Sequence, residues 1–519
     1  MPVQAVNGRR HFLEIASCML VSGCGGIRSP ARAIAAPESG PVPNGNVQGA
    51  VAQLDRLVAD LMATSGVPGM AVAVVHGART IYAKGFGTRL IGTNAPVNAD
   101  TVFQLASVSK SVGATGVAHE VGKGKVRWDS PIHGLLPWFA LAERDVTQRV
   151  TIADLYAHRS GLPDHAGDHL EDMGFGQRDV LERLRYLPLQ PFRKHYAYTN
   201  FGLTAAGLAA AEAAGVDWAT LMERSIYVPL GMMRTSSRFS DFATRFNRVT
   251  GHRQVDGKWV PVAPPRMPDA QAPAASVTSS VNDMAKWLAM LLGDGNYDGR
   301  RIVDEAALGA AVSPQMPIAP AHDGFPASYS GYGFDVGTTA LGRRTYGHSG
   351  AFEMGTATTF KVMPSARVAL VALTNGYPVG VPEILAAQFF DLVESGVVRR
   401  DWAALARPVF AQMNAPEGSL VGEARPTAPR PARALVDYAG TYGNNYHGPL
   451  RVERVGTSLL LVLGPAPLRL PLAHWDGDVF TFTLDNENAR PGTISKATFA
   501  SDRVTLEYYD HEGLGTFVR

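Results

Sequence analysis

Residues 345–352, "TYGHSGAF", admit two readings that imply different folds. In one, Gly347-His348-Ser349-Gly350-Ala351 approximates the G-x-S-x-G nucleophile elbow, with Ser349 as the attacking group. In the other, His348-Ser349-Gly350 is the wall of a site whose nucleophile lies far upstream. An elbow serine sits between a strand and a helix. The segment after Ser349, "TATTFKV" (356–362), is β-branched and strand-like, with no apolar helical period. A triad Asp and His would then have to come largely from the distant C-terminal region. The local pattern points away from the elbow.

Upstream, "FQLASVSKSVGATGVAHEVGKG" holds Ser107-Val108-Ser109-Lys110, the one Ser-x-x-Lys of the chain. Val108, Val112, Val117 and Val121 predict a helix after Ala106, stopped by Gly122. Residues three apart share a helix face, so Ser107 and Lys110 can touch. A Ser hydroxyl is a poor nucleophile until a neighbour accepts its proton, and a Lys can do so when its pKa is drawn towards neutrality. A serine that begins a helix also has an N–H free to bind a developing oxyanion. The bland alternative is a solvent-facing pair. In "HYAYTNFGLTAAGLAA", Tyr198 can exchange protons with Lys110, and the Asn200 amide can orient Lys110 and bind a carbonyl. A core Tyr and an N-cap Asn would serve as well. In "RRTYGHSGAFEMG", small Ser349 and Gly350 at a strand end let backbone approach a substrate, and Ala351 N–H offers a second oxyanion donor.

At 519 residues, more than one domain is expected. A composition 46% hydrophobic and 18% charged belongs to a globular protein, and a charge of +2 gives no reason to invoke nucleic acid. With Cys18 and Cys24 as the two cysteines, a disulfide framework, a cysteine metal site and a thiol nucleophile in the body of the chain are excluded. Residues 1–35 have the pattern of an export signal: Arg9-Arg10 before a short apolar run, a lipobox-like Val21-Ser22-Gly23-Cys24, and a competing Ala33-Ile34-Ala35 cleavage site. The expected location is periplasmic or secreted, with a membrane tie through a lipid on Cys24. Cleavage would remove four Arg and one Glu and take the charge from +2 to −1.

Residues 36–46 are Pro/Gly/Asn-rich and predict a mobile tether. A helix comes next, with Val51, Leu54, Leu57, Val58 and Leu61 at helical spacing and Gly66 ending it. "GMAVAVVHGARTIYAKGFG" and "TATTFKVMPSARVALVALTNG" predict hairpins, and "PEILAAQFFDLVES" predicts a helix opening with Pro382. One sheet closed by distant parts of the chain is expected, with a mostly helical insert between. Residues 407–432 suit a Pro-rich linker, and 433–519 alternate β-rich runs with turns, as in a small barrel or sandwich.

Taken in order, "VPGMAVAVV", "VFQLASVSKS", "VTIADLYAHRSGLP", "YTNFGLTAAG", "PLGMMRTS", "PAASVTSSVNDMAKWL" and "YGHSGAFEMG" resemble the serine β-lactamase and penicillin-binding-protein superfamily. The likeness is to its class C β-lactamase-like, peptidase S12-type branch, over residues 47–406. The resemblance implies an α+β fold: an antiparallel sheet flanked by helices, an all-α subdomain, then a lipocalin-like β-domain at 433–519. It implies Ser107 as acylated nucleophile, Lys110 as base and Tyr198 as proton relay. Asn200, His348, Ser349, Gly350 and Ala351 would bind substrate, and the Ser107 and Ala351 amides would form the oxyanion hole. No cofactor and no metal is implied. The substrate would be a small ester, peptide or lactam. Class C β-lactamases carry Lys-Thr-Gly where this chain has His348-Ser349-Gly350, so the ammonium that grips a β-lactam carboxylate is replaced by an imidazole. That variant resembles the esterases, D-amino-acid peptidases and amidases of the superfamily.

Three other readings stay open on the sequence. A penicillin-binding or peptidoglycan-sensing protein would acylate with little turnover. An α/β-hydrolase would use Ser349. A wall-binding module would rely on the β-domain, which otherwise shapes the site or serves stability or assembly. One further cluster, "AHRSGLPDHAGDH", gathers His158, Asp164, His165, Asp168 and His169, side chains able to ligate a divalent metal or simply to face solvent.

Overall fold

The structure, a computed structural model, describes residues 42–322 and 325–519. The export segment, with Arg9, Arg10, Cys18 and Cys24, lies outside the described residues, as does the first part of the tether. Helix α1 (Asn44–Ser65) starts inside the stretch expected to be a tether, because Val47 and Ala50 already face the core. It ends where predicted: Gly66 takes φ 69° and its N–H reaches Met62 O at 2.8 Å. Strands β1 (Gly69–His76) and β2 (Arg79–Gly87) form the first hairpin.

A helical subdomain comes next, with α2 (Val108–Gly122) and α3 (Asn200–Ala214) at its centre and α4 (Val281–Leu292) laid against the sheet. The chain then returns to the sheet through β3 (Met316–Ala319), β4 (Ser328–Ser330), β5 (Asp335–Thr338), β6 (Arg344–Phe352), β7 (Thr356–Met363) and β8 (Val368–Thr374). Strand order is β2-β1-β8-β7-β6-β5-β4-β3, every pair antiparallel. The two ends of the domain meet where β1 pairs with β8, from Met70↔Thr374 to His76↔Val368.

β1 is buried on both faces, which explains its unbroken apolar run. Met70, Val72 and Val74 pack with α1 and α5 (Val381–Ser395), while Ala71, Ala73 and Val75 join the core on the α2/α4 side. The linker expected from 407 begins later. Helix α6 (Trp402–Met413) runs through Pro408, held by Val409, Phe410 and Met413 against Ile384 and Ala387. Among the described residues, no helix is long and apolar enough to cross a membrane.

The C-terminal module is an eight-stranded antiparallel meander: β9 (Gly440–Tyr442), β10 (Leu450–Val455), β11 (Ser458–Leu463), β12 (Leu468–Asp476), β13 (Val479–Thr483), β14 (Ile494–Phe499), β15 (Arg503–Leu506) and β16 (Thr516–Val518). A bridge between Gly443 and Val518 brings its first and last strands together, so the sheet is nearly a closed barrel. Tyr438, Tyr442, Phe480 and Phe499 fill the interior. The barrel docks on residues 167–183 of the helical subdomain: Tyr446 Oη accepts from Gly167 N at 3.1 Å, Arg183 donates to the Asn445 and Tyr446 carbonyls, and His169 packs 4.7 Å from the Tyr508 ring.

Candidate active site

Ser107 stands at the cap of α2, directly after Ala106, whose φ is 47°. A left-handed conformation in a residue with a Cβ costs about 1–2 kcal/mol. The surroundings impose it: Leu105 N bonds Val277 O at 2.8 Å, and Leu105 O accepts from Thr358 Oγ1 at 2.8 Å. The chain thus turns abruptly into the helix, presenting Ser107 to the cleft. The flanking serines are used elsewhere. Ser109 Oγ accepts from Val277 N, and Ser111 Oγ donates to Gly333 O.

One turn along, Lys110 is fully buried and its Nζ lies 3.0 Å from Ser107 Oγ. The amine also reaches Asn200 Oδ1 at 2.7 Å and Ala274 O at 3.3 Å, and sits 4.5 Å from the centre of the Tyr198 ring. Tyr198 Oη donates to Ser107 Oγ at 2.7 Å. Asn200 is not the helix cap; Thr199 is, in an extended conformation, and Asn200 opens α3 with its amide turned to Lys110. The structure therefore gathers Ser107, Lys110, Tyr198 and Asn200 around one hydroxyl.

The His/Asp-rich loop holds up this group. Tyr198 N donates to Asp164 Oδ1 at 2.8 Å, and His165 N donates to Tyr198 O at 2.7 Å. Asn200 Nδ2 donates to Asp168 Oδ2 at 2.8 Å, an oxygen that also meets His165 Nδ1 at 2.7 Å. His158 accepts from Thr199 N through Nδ1 and lies 4.8 Å from the Tyr198 ring. Burial, then the positive charge of Lys110 and the neighbouring His348 and His165, holds its pKa well below the ordinary imidazole range. His169 faces the barrel instead. Among the described residues, no group of three His, Cys, Asp or Glu is placed to hold a metal ion.

Strand β6 forms the opposite wall. Its pairing with β5 stops at Gly347, while its pairing with β7 continues to Phe352, so His348–Phe352 present an edge to the cleft. At Gly350 a Cβ would collide with Leu105 O and come within 2.8 Å of Ser107 N, so only glycine allows this approach. Ser349 lies mid-strand, paired with Thr359 and bonded to its hydroxyl at 3.0 Å. No strand-to-helix turn exists there, which overturns the elbow and the α/β-hydrolase reading of Ser349. His348 is buried, with Nδ1 2.5 Å from Ser349 O. Burial lowers its pKa, the carboxylate of Asp335 works against that, and Lys110 adds to it.

These walls line an open cleft. Several residues around it carry no mark in the sequence: Arg266, Glu353, Glu383, and three from the barrel, Glu487, Asn488 and Arg490. Arg266 is buried among Glu171 (2.6 Å), Asp172 (3.7 Å) and Glu487 (4.0 Å). Glu487 accepts from Glu353 N and Met354 N, Asn488 donates to Asp172, and Arg490 pairs with Glu353 at 3.4 Å. Burial pushes Glu487 up to about 8 and Asp172 up to about 7, against the pull of Arg266. In the sequence, "DNENAR" (485–490) looks like any solvated turn between strands. Nothing local marks it as a cleft wall.

Residues 54–390 match the family described as Beta-lactamase, and residues 424–508 match a domain of unknown function (DUF3471). The chain is 31% identical over 320 residues to penicillin-binding protein 4 of Amycolatopsis lactamdurans, covering 60% of this chain and 81% of that one. It is 27% identical over 409 residues to the unguisins hydrolase of Aspergillus campestris, covering 74% and 73%. Among solved structures, the octameric penicillin-binding protein homologue from Pyrococcus abyssi aligns with a TM-score of 0.58 at 20% identity, over 90% of this chain and 100% of that one, a likeness of fold.

Proposed function

The chain belongs to the beta-lactamase family, and from that premise we propose that it is a hydrolase that opens an ester, amide or lactam carbonyl through an acyl-Ser107 intermediate. The observation that carries this reading is the double contact of one hydroxyl, 3.0 Å from Lys110 Nζ and 2.7 Å from Tyr198 Oη. Two amide oxygens, Asn200 Oδ1 and Ala274 O, take two N–H bonds of Lys110. Charged, Lys110 donates to Ser107 Oγ; once it has lost a proton, its lone pair is left for that hydroxyl.

Ser107 gives its proton to Lys110 as Oγ bonds to the carbonyl carbon and the π pair moves onto the carbonyl oxygen. The Ser107 and Ala351 N–H groups are the assigned oxyanion donors. On collapse, the bond to the leaving group breaks, Tyr198 Oη protonates that group, and Lys110 returns a proton to Tyr198. A water molecule then attacks the acyl carbon while Tyr198 takes its proton and passes its own to Lys110; the bond from the acyl carbon to Ser107 Oγ breaks, and Lys110 returns the proton to that oxygen, freeing the hydroxyl. Ser107→Ala should abolish covalent labelling by a fluorophosphonate probe, and Ser349→Ala should leave labelling intact. The reverse pattern would remove this assignment.

A neutral His348 supplies no fixed cation for a β-lactam carboxylate, which favours the esterase, peptidase or amidase side of the class C-like branch. A panel of p-nitrophenyl esters, D- and L-aminoacyl anilides and a chromogenic cephalosporin decides among them. The name of the Amycolatopsis relative supports a second reading, a penicillin-binding protein that acylates and scarcely turns over. Decay of the acyl-enzyme within minutes would exclude it. Export through the Arg9-Arg10 segment belongs to the same proposal and is tested by fractionating cells that make the full chain.

A further inference from the structure

Behind β6 a second hollow of about 510 Å³ adjoins the Ser107 cleft. Apolar side chains such as Val336, Tyr346, Phe360 and Ala387 line it, and it shares Asp335, His348, Ser349 and Glu383 with the cleft. Glu383 stands at this junction. It is 7% exposed, and its Oε2 has no hydrogen-bond partner among the described residues. A buried carboxyl oxygen left without a partner is costly, and a donor from outside the chain would offset that cost.

A helix-capping role accounts for only part of this. Glu383 lies in the first turn of α5, where an acidic group is favoured, and it bonds its own backbone N–H. That leaves Oε2 unexplained in the wall of a cavity. Two other carboxyls of the cleft differ from it in having a cation: Glu353, whose Oε2 is also without a hydrogen bond, has Arg490 at 3.4 Å, and Glu487 has Arg266 at 4.0 Å. Both guanidiniums are thereby engaged, and His348 is held towards its neutral form. Burial pushes Glu383 up to about 7, opposed by hydrogen bonds from its backbone and from the Ser349 hydroxyl. Asp335, Tyr346, His348 and Lys361 are the other ionisable residues of the adjoining hollow, and Lys361 Nζ lies 5.9 Å from the Phe390 ring. The junction is thus suited to a positive ligand group and poorly suited to a carboxylate.

We propose that Glu383 is a substrate-binding residue whose carboxyl receives an N–H of an ammonium carried by the acyl part of the substrate. The preferred substrates are then esters or amides of amino acids with a free amine. The acyl part is chosen because Tyr198, which protonates the leaving group, reaches Ser107 from the helical subdomain, whereas Glu383 approaches from the sheet, beside Ser349 and Gly350. This inference rests on Ser107 being the acylated nucleophile.

The test uses the full chain with D- and L-alanine p-nitroanilide and their N-acetyl derivatives. Wild-type kcat/KM for the free amine of one enantiomer should exceed that of its N-acetyl form by about tenfold or more, the scale of a hydrogen bond to a charged group. Glu383→Gln, which keeps the helix cap, should remove that preference by raising KM for the free amine, with a smaller change for the N-acetyl substrate. A purely structural role would lower both substrates alike. Absence of an amine preference in the wild type, or equal losses in the variant, overturns the assignment. Ser107→Ala in the same assay separates the two claims: if it still turns over substrate, the Ser107 reading falls as well.

Discussion

Asp168 shows how much of the chemistry turns on the direction of one amide. A carboxylate only accepts, so it draws Asn200 Nδ2 towards itself at 2.8 Å and leaves Oδ1 facing Lys110 at 2.7 Å. Asp168→Asn would let the Asn200 amide sit either way round. Its expected effect is a fall in kcat, and in the rate of Ser107 labelling, of about ten- to hundredfold, matching the about 1.5–3 kcal/mol of a hydrogen bond to a charged group. KM should change little. An unchanged labelling rate would show that Asn200 needs no such guide. His165 and Asp164 act on the same group, holding the backbone of Tyr198 at both its carbonyl and its N–H. In the sequence these residues had the composition of a metal loop or a solvated one. A pattern of side chains states which ligands are available, and only the fold states what they face.

At the level of elements, helix α2 and strand β6 come together through two backbone details. Ala106 turns the chain with φ 47°, and Gly350 lets β6 lie against Leu105 and Ser107. Gly350→Ala would push the strand off the helix cap and shift the Ala351 N–H. Activity should fall about a hundredfold, the order expected for a displacement near 1 Å at a reacting centre, and the melting temperature should drop with it. Retained activity would mean that the oxyanion site does not include this strand. Elements of this kind were largely legible in advance. The hairpins turning at Gly77 and Pro364, the stop at Gly66 and the helix after Ala106 arise from periodicity and turn chemistry, which act within a few residues. The start of α1 and the whole of α6 were not, because buried Val47 carries α1 into its Pro- and Gly-rich flank and buried Phe410 holds a helix together around Pro408, where a linker was expected.

For the molecule as a whole, the seam between barrel and catalytic unit is an ionic one, with Glu487 at its centre facing Arg266, Asp172 and Glu353. Its carboxyl is held up to about 8, against 4.5 for a free side chain. Between those values the unfolded chain loses the proton while the folded chain keeps it, so stability falls as pH rises and levels off above about 8. Asp172, held up to about 7 from 3.8, contributes in the same sense. The melting temperature should therefore decline from pH 5 to pH 8 more steeply in the wild type than in Glu487→Gln, and identical slopes would deny Glu487 this role. The sequence alone determined the alternation of elements and the pairing of Ser107 with Lys110, because each depends on spacing along one strand or one helix turn, and the order of seven segments carried the family resemblance. The tertiary structure decided that Tyr198 and Asn200 meet that pair, that Gly350 backs onto it, and that a turn of the barrel, Asp485 to Arg490, walls the same cleft. Those contacts join residues separated by tens to hundreds of positions, and burial rather than periodicity sets them.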